Sequence, residues 1–466
     1  MLRRLAAAIG LIASALVVYL TAGSGPSSQE TDRDLALSGG VDATVSDATG
    51  NAFSLAAPKL SSKERRAFAV GNSFFNRNWV SAPASTTGRD GLGPTFNAQS
   101  CSSCHFKDGR AQPPTSSSQV PELGLLLRLS VADNDGPQRL VARYGGQLQD
   151  RALNGVPAEG AIRITHTRRR GRYADGTRYT LLAPGYEIVA RAFGALPKGV
   201  RIGPRIAPPI FGVGLLEAVP ERTITDHADP RDSDGDGISG RPNRVINARS
   251  GALVLGRFGW KANVPTVEQQ NASAFNGDIG ITTPIFPKQN CPDGQRACEA
   301  APGGGRPEVD ARKLQRVTFY ARTLAVPARR DVGHADTSAG ERSFSDLGCA
   351  TCHRLELKTG RSDVAALAKQ TIRPYTDMLL HDMGPGLADG RPDSLATGSE
   401  WRTPPLWGIG LVRTVNRHTR FLHDGRARSI EEAILWHGGE AAAATQRFRK
   451  LPRRERENLI AFLRSL

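Results

Sequence analysis

Methionine is almost missing from this chain. Of three in 466 residues, Met1 opens the sequence, and only Met378 and Met383 are left as thioether donors. Cysteine is sparse as well: six residues are too few to staple a chain of this length, which excludes a disulfide-framed scaffold. Aromatic residues make up 6%, and no basic run is interleaved with them. A net charge of +16, spread as arginine along the whole chain, therefore does not read as a nucleic-acid surface. It reads as a solvated basic surface, or as a field that steers an acidic redox partner or an anionic membrane surface. Glycine and proline are abundant, at 50 and 30 residues, which implies much loop in a chain long enough for two to four domains. The 39% hydrophobic and 23% charged content is that of an ordinary soluble globular protein.

The few cysteines are not scattered. Cys101-Ser102-Ser103-Cys104-His105 and Cys349-Ala350-Thr351-Cys352-His353 are both C-x-x-C-H runs and use four of the six. This spacing puts two thiols on one helical turn, where they can add to the vinyl groups of a c-type haem, and places the next residue, His105 or His353, under the iron. Two C-x-x-C pairs could also supply four thiolates to zinc, but zinc does not require a histidine after each pair. Cys291 and Cys298 stand apart. A short-loop disulfide is the expected pairing in an oxidising compartment, and their spacing is not that of a redox-active C-x-x-C.

The N-terminus points to that compartment. Arg3-Arg4, an apolar run from Leu5 to about Ala22 and a polar Gly/Ser/Pro stretch form an export signal at 1–28, or a membrane anchor if uncleaved. The expected location is periplasmic, or anchored at the outer face of the inner membrane. Residues 29–60 show no clear periodicity and read as linker. Ser61 to Glu64 form a capping signal for a helix over 62–76. Alternating residues at 125–131, around Ile162 and Ile164, and from Tyr179 to Ala190 predict a small inserted sheet. A helix is expected from Glu308 to Ala325, and Ser429-x-x-Glu432 caps another. Leu459, Phe462, Leu463 and Leu466 mark an amphipathic terminal helix. The fold class expected is mainly α with an inserted β region: two cytochrome c-like haem domains, at 61–334 and 335–466, joined by irregular Gly/Pro-rich loops.

Asp232, Asp234 and Asp236 with Gly237 resemble the start of a calcium loop. The twelfth position is Asn243 rather than glutamate, so an EF-hand is not supported; a solvated Asp/Gly turn is the alternative.

Several longer runs carry a resemblance. They are Phe96 to Arg110, Gly212 to Glu217, Asp234 to Gly240, Gly256 to Lys261, His381 to Leu387, Arg402 to Trp407 and Phe421 to Arg426. With them the chain resembles the di-haem oxidoreductases labelled as peroxidase-like or thiol oxidoreductase-like, distant relatives of bacterial di-haem cytochrome c peroxidases and of the methylamine-dehydrogenase maturation enzyme. In di-haem peroxidases a methionine before the histidine of the late F/Y-M-H-D/S-G-like run ligates the C-terminal haem iron. Here that position is Leu422, which cannot. Met383 is the favoured replacement and His381 the second, with Met383 as a packing residue the alternative. No methionine lies near the first motif. His166 and His227 are the histidines that could approach it, though each also reads as surface.

The motifs imply two covalently attached haems and the aspartate loop makes calcium a candidate; the resemblance implies a peroxidase-like oxidoreductase that takes electrons from a small redox protein or cytochrome. Peroxide or a protein partner would be the substrate. A non-enzymatic electron carrier and a maturation enzyme that oxidises a protein partner are the rivals. Glu217 is the candidate acid/base, unless it is salt-bridged to arginine. Trp260 is the first choice among the tryptophans as electron relay, with plain packing the alternative. His423, Asp424 and Arg426 are expected to hold the C-terminal haem pocket by hydrogen bonds, with Arg426 or Arg402 on a propionate.

Overall fold

Several helices begin where the sequence supplies a side-chain cap. The computed structural model describes residues 31–114, 123–131 and 139–466; the export segment expected at 1–28 lies outside them. Helix α1, Ser62–Asn76, starts from a capping box: the Ser61 hydroxyl accepts the Glu64 amide, and the Glu64 carboxylate accepts the Ser61 amide at 2.8 Å. The first motif forms a single turn, α2, Cys101–Cys104, capped by Ser100. Strand β1, Leu125–Val131, follows. Next come β2, Ala161–Arg172, and β3, Arg178–Val189, which make one long antiparallel hairpin, and β4, Val200–Ile206, which returns to pair with β1. Helix α3, Val267–Asp278, is capped by Thr266, and α4, Ala311–Arg322, by Asp310. After α5, Ala335–Asp346, the second motif lies in a short 3-10 turn at Cys349–Thr351. Helices α6, Ile430–Trp436, and α7, Arg453–Ser465, complete the chain.

Helix takes up 29% of the structure and strand 18%. The expected mainly-α pair of cytochrome c-like domains is therefore not what forms. The strands are not one inserted sheet either: among the described residues they make seven separate two-stranded ribbons. Glycine and proline keep most helices short, and the two main cores each draw on both halves of the sequence. Residues 32–60, expected as linker, are packed. Thr44 and Val45 pair with Val326 and Pro327, and buried Phe53 stacks on Phe211 at 4.4 Å. Cys291 and Cys298 are bridged.

Two helix pairs support the two motifs in the same way. α1 crosses α4, and α5 crosses α7. At each crossing a glycine lets the backbones touch: a Cβ on Gly71 would meet the Arg316 carbonyl, and one on Gly340 the Asn458 carbonyl. One turn on, Phe75 packs against Tyr320 and Phe344 against Phe462, both at 5.3 Å. The same two phenylalanines flank the motif histidines, Phe75 at 6.1 Å from His105 and Phe344 at 6.2 Å from His353. The chain folds as a repeat that its residue pattern barely advertises.

Candidate functional site

Each motif histidine is fixed through one nitrogen. His105 Nδ1–H donates to the Pro208 carbonyl at 2.7 Å, and His353 Nδ1–H to the Tyr375 carbonyl at 2.9 Å. That bond sets the tautomer and leaves Nε2 with its lone pair. Burial pushes both imidazoles down to about 4, so they are neutral and able to bind a metal. The Cys104 and Cys349 thiols are pushed up to about 12 by burial, and Cys101 and Cys352 also rise. The two cysteine pairs do not converge. Among the described residues, the only groups of ligand atoms close enough for a metal are Cys352–Asp377–His381 and the three aspartates at 232–236. A four-thiolate zinc site is thereby excluded.

Both motifs open on one continuous cavity of about 440 Å³. The repeat builds its walls. Ala207-Pro208-Pro209-Ile210-Phe211-Gly212-Val213-Gly214-Leu215-Leu216 and Thr403-Pro404-Pro405-Leu406-Trp407-Gly408-Ile409-Gly410-Leu411-Val412 are two copies of one run, and both line it. A second pair of copies starts at Arg257-Phe258 and Arg420-Phe421. Each begins with a tight bridge, Phe258 to Val264 and Phe421 to Ala427, and leads through a Thr266 or Ser429 cap into α3 or α6. The copies interlock across the cavity. The Ile206 amide donates to the His423 carbonyl at 2.8 Å, and the equivalent Arg402 amide donates to the Trp260 carbonyl at 2.9 Å. Arg110 bonds the Leu422 carbonyl from the first half, and Arg402 bonds its counterpart, the Gly259 carbonyl, from the second at 3.1 Å.

Arg110 and Arg402 are both buried, and neither has a carboxylate at salt-bridge distance among the described residues. Burial lowers them to about 9 and about 10, with Asp424 and Asp377 respectively as the opposing charges. Two buried guanidinium groups that face a cavity with no carboxylate in direct contact favour an anion there. Thiol pairs, lone-pair imidazoles and unpaired guanidinium groups together fit two haems with their propionates.

The other expected residues divide. Trp260 lines the cavity at the seam between the copies. Its Nε1–H donates to the Ile206 carbonyl at 2.8 Å, and Arg110 lies over its ring at 5.2 Å. Met383 lines the cavity on the second side. His423 stacks on Trp401 at 3.8 Å, but its Nε2 is enclosed by protein with no hydrogen-bond partner. Arg426 is held by Asp424 at 2.8 Å and does not line the cavity. Glu217 also lies off it: it pairs with Arg322 at 2.7 Å and accepts the Val267 amide at 2.8 Å. His381 has both nitrogens engaged, Nε2 by Asp377 at 2.8 Å and Nδ1 by Glu440 at 2.6 Å. Burial opposes its protonation, but these carboxylates and the Cys352 sulfur raise it to about 12, so it holds a proton where a ligand needs a lone pair. Neither His166 nor His227 lines the cavity. The oxygens of Asp232, Asp234 and Asp236 gather within 4.8 Å at the surface.

Two cavity residues were not singled out from the sequence. Gln270, on α3, has a buried Oε1 without a partner. His437, just past α6, donates Nδ1–H to the Ala433 carbonyl at 2.6 Å and is near enough to His353 to oppose its protonation. The signal for both was the repeat: aligning Thr266 with Ser429 would have picked out the helix faces that meet the motifs.

Two equivalent motifs that face one cavity are the arrangement a two-cofactor protein needs. The chain matches the family described as "di-haem oxidoreductase, putative peroxidase" over residues 33–139 and 190–466, which is most of its length, and it belongs to that family. The description names haem as cofactor and oxidoreduction as chemistry. The β2–β3 hairpin falls between the two matched stretches. No curated protein and no solved structure matches the chain.

Proposed function

We propose that this chain is an exported di-haem c-type cytochrome with peroxidase-like activity, taking electrons from a small acidic redox protein or cytochrome and passing them between its two haems. The observation that carries the reading is the shared cavity: two histidines of the same tautomer, each behind a thiol pair, face it from two interlocked copies of one unit. Covalent haem would supply reversible one-electron chemistry at iron. The chain supplies the rest. Cys101 with Cys104, and Cys349 with Cys352, tether the macrocycles; His105 and His353 offer Nε2 to the irons; Arg110 and Arg402 neutralise propionates. Trp260 occupies the seam where an electron crosses from one half to the other. On the first side the Gln270 carboxamide is the polar group placed to orient a small oxygen ligand such as peroxide. Two electrons from the donor and two protons then convert hydrogen peroxide to two waters. The second half is the side of electron entry, and the basic surface favours an acidic donor.

The test is direct. Purified full-length protein should carry two haems per chain by pyridine haemochrome assay, and should oxidise a reduced small cytochrome only when peroxide is present. Two haems that never react with peroxide would make the chain an electron carrier instead and overturn the enzymatic reading. Export predicts that the mature protein is recovered outside the cytoplasm, cleaved after the 1–28 segment or still attached to membrane. The Asp232–Asp236 loop is read as a calcium site. One equivalent of Ca²⁺ should bind with a calorimetric signal that Asp234→Asn abolishes, and no binding at millimolar Ca²⁺ would leave it a solvated turn.

A further inference from the structure

The repeat assigns a different partner to each motif. Thr266 and Ser429 are equivalent caps, each accepting the amide three residues on, from Gln269 at 3.1 Å and Glu432 at 3.1 Å. Counting on from the caps, Gln270 matches Ala433 and Ala274 matches His437. All four line the cavity. The same helix face therefore lines the cavity from α3 and from α6, with a methyl group at the position where the second copy has an imidazole, and that imidazole lies near His353.

His437 has the features of a ligand. Its single hydrogen bond runs from Nδ1 to a backbone carbonyl at 2.6 Å, the arrangement found at His105 and His353. Nε2 makes no hydrogen bond and carries the lone pair. The other candidates on that side are weaker. His381 is clamped by two carboxylates, and the Nε2 of His423 is enclosed. Met383 remains a competitor because its loop packs against the segment after His437: a Cβ on Gly438 would lie 3.1 Å from the Met383 carbonyl oxygen. A thioether there has nothing to set its orientation, whereas the imidazole is pinned by its Nδ1 bond.

We propose that His437, through Nε2, is the sixth ligand of the iron carried by Cys349–His353, and that Ala274, at the equivalent position, leaves the iron carried by Cys101–His105 open on that face. This deepens the two-haem reading above and rests on it. It makes the second site a six-coordinate bis-imidazole centre suited to electron entry, and the first a five-coordinate centre that can take an exogenous oxygen ligand.

The experiment is ferric electron paramagnetic resonance with near-infrared magnetic circular dichroism on the two-haem protein. Wild type should show one high-spin and one low-spin haem, and the low-spin charge-transfer band should be that of bis-imidazole ligation; a band typical of histidine–methionine ligation would overturn the proposal. His437→Ala should lose the low-spin signal, leaving both haems high-spin, and added imidazole should restore it. Met383→Ala should leave it in place. Loss of the signal in Met383→Ala with retention in His437→Ala would overturn the assignment. Ala274→His is the converse test and does not depend on His437→Ala loading haem: it should convert the first haem from high-spin to low-spin. Retention of the high-spin signal with two haems bound would show that Ala274 does not face that iron. A pyridine haemochrome count below two haems per chain would instead defeat the underlying reading, and is seen before any ligand question arises.

Discussion

The first and second halves of this molecule share a skeleton and differ in the charges they bury. In both, a helix crosses another at a glycine, places a phenylalanine beside a motif histidine, and is followed by a Pro-Pro run and a capped helix that wall the cavity. In the first half, burial outweighs the partners of several carboxylates: it raises Asp108 and Asp150 to about 6 and Glu159 to about 7, and raises Asp278 as well, even with Arg151 near Asp150 and Arg128 near Asp278. Those of the second half are paired. Asp424 lies against Arg426 and is held down to about 2, Asp389 is lowered beside Arg205 and Lys261, and Glu440 beside His381. What holds each histidine has been kept in both copies, and what surrounds it has diverged. That is the pattern expected when two identical scaffolds take on unequal redox duties.

The equivalence of the scaffolds is open to a large effect. Valine at Gly71 or Gly340 would drive a side chain into the carbonyl of the facing helix, and neither backbone can retreat without separating the aromatic pair one turn on. We expect Gly71→Val and Gly340→Val each to lose about 3 kcal/mol or more of stability by overpacking and helix displacement, read as denaturation midpoints of the two-haem protein. Comparable losses support one skeleton used twice. If one variant is near wild type and the other unfolds, the crossings are not equivalent.

This symmetry explains why some of the molecule was legible in the sequence and some was not. Local structure could be read directly: Ser61 with Glu64 announces a helix start, Ser429 with Glu432 another, and Cys291 and Cys298 pair as expected. Positions decided by distant partners could not. Phe53 looks like part of a linker because its stacking partner, Phe211, is far along the chain. Glu217 sits in an apolar run that suggests a buried acid, yet Arg322 reaches it from α4. The predicted strands exist, but pairing was not encoded in their alternation: β2 and β3 pair with each other, β1 with the distant β4, and no single sheet forms. His437 is not legible by itself, because its importance depends on the equivalence of Thr266 and Ser429. That equivalence shows only when the two halves are aligned, and the diverged residues between the shared glycines and prolines obscure it.

The difference in buried charge gives a medium-sized effect with a definite sign. Asp108 accepts the Tyr320 hydroxyl at 2.7 Å, but burial outweighs this bond and the one from Ser54, and raises the carboxyl to about 6. An unfolded aspartate titrates near ~3.9. The folded state therefore binds the proton more tightly: the contribution of Asp108 is fully favourable below about pH 4 and is lost as pH rises through about 6. Buried histidines pull in the opposite direction, so the readout is a difference between variant and wild type. Asp108→Asn should gain on wild type by on the order of 2 kcal/mol between pH 4 and pH 7. Asp424, held below its unfolded value, contributes stability that is present above about pH 4 and lost as pH falls through about 2. The cost of Asp424→Asn should therefore stay constant between pH 5 and pH 7. Parallel curves for the two variants would erase the proposed contrast between the halves.

The smallest effect separates Trp260 from its counterpart in the other copy. The two residues, Trp260 and His423, occupy equivalent places, and each lends its carbonyl to the other copy's strand through the Arg402 and Ile206 amides. Those bonds are main-chain and survive substitution. The side chains differ. Trp260 Nε1–H satisfies the Ile206 carbonyl at 2.8 Å in a buried setting, whereas His423 Nε2 makes no hydrogen bond, has the Asp424 carboxylate at 3.8 Å, and its ring contributes a stack on Trp401. Trp260→Phe keeps an aromatic at the seam but removes that donor, so it should cost about 1 kcal/mol. His423→Phe keeps the stack and strands no polar group, so it should cost less. Chemical denaturation of both variants against wild type measures the difference. If His423→Phe proves the more damaging, the contact between His423 and Asp424 is worth more than the indole's hydrogen bond, and the asymmetry between the two positions runs opposite to the one drawn from their hydrogen bonds.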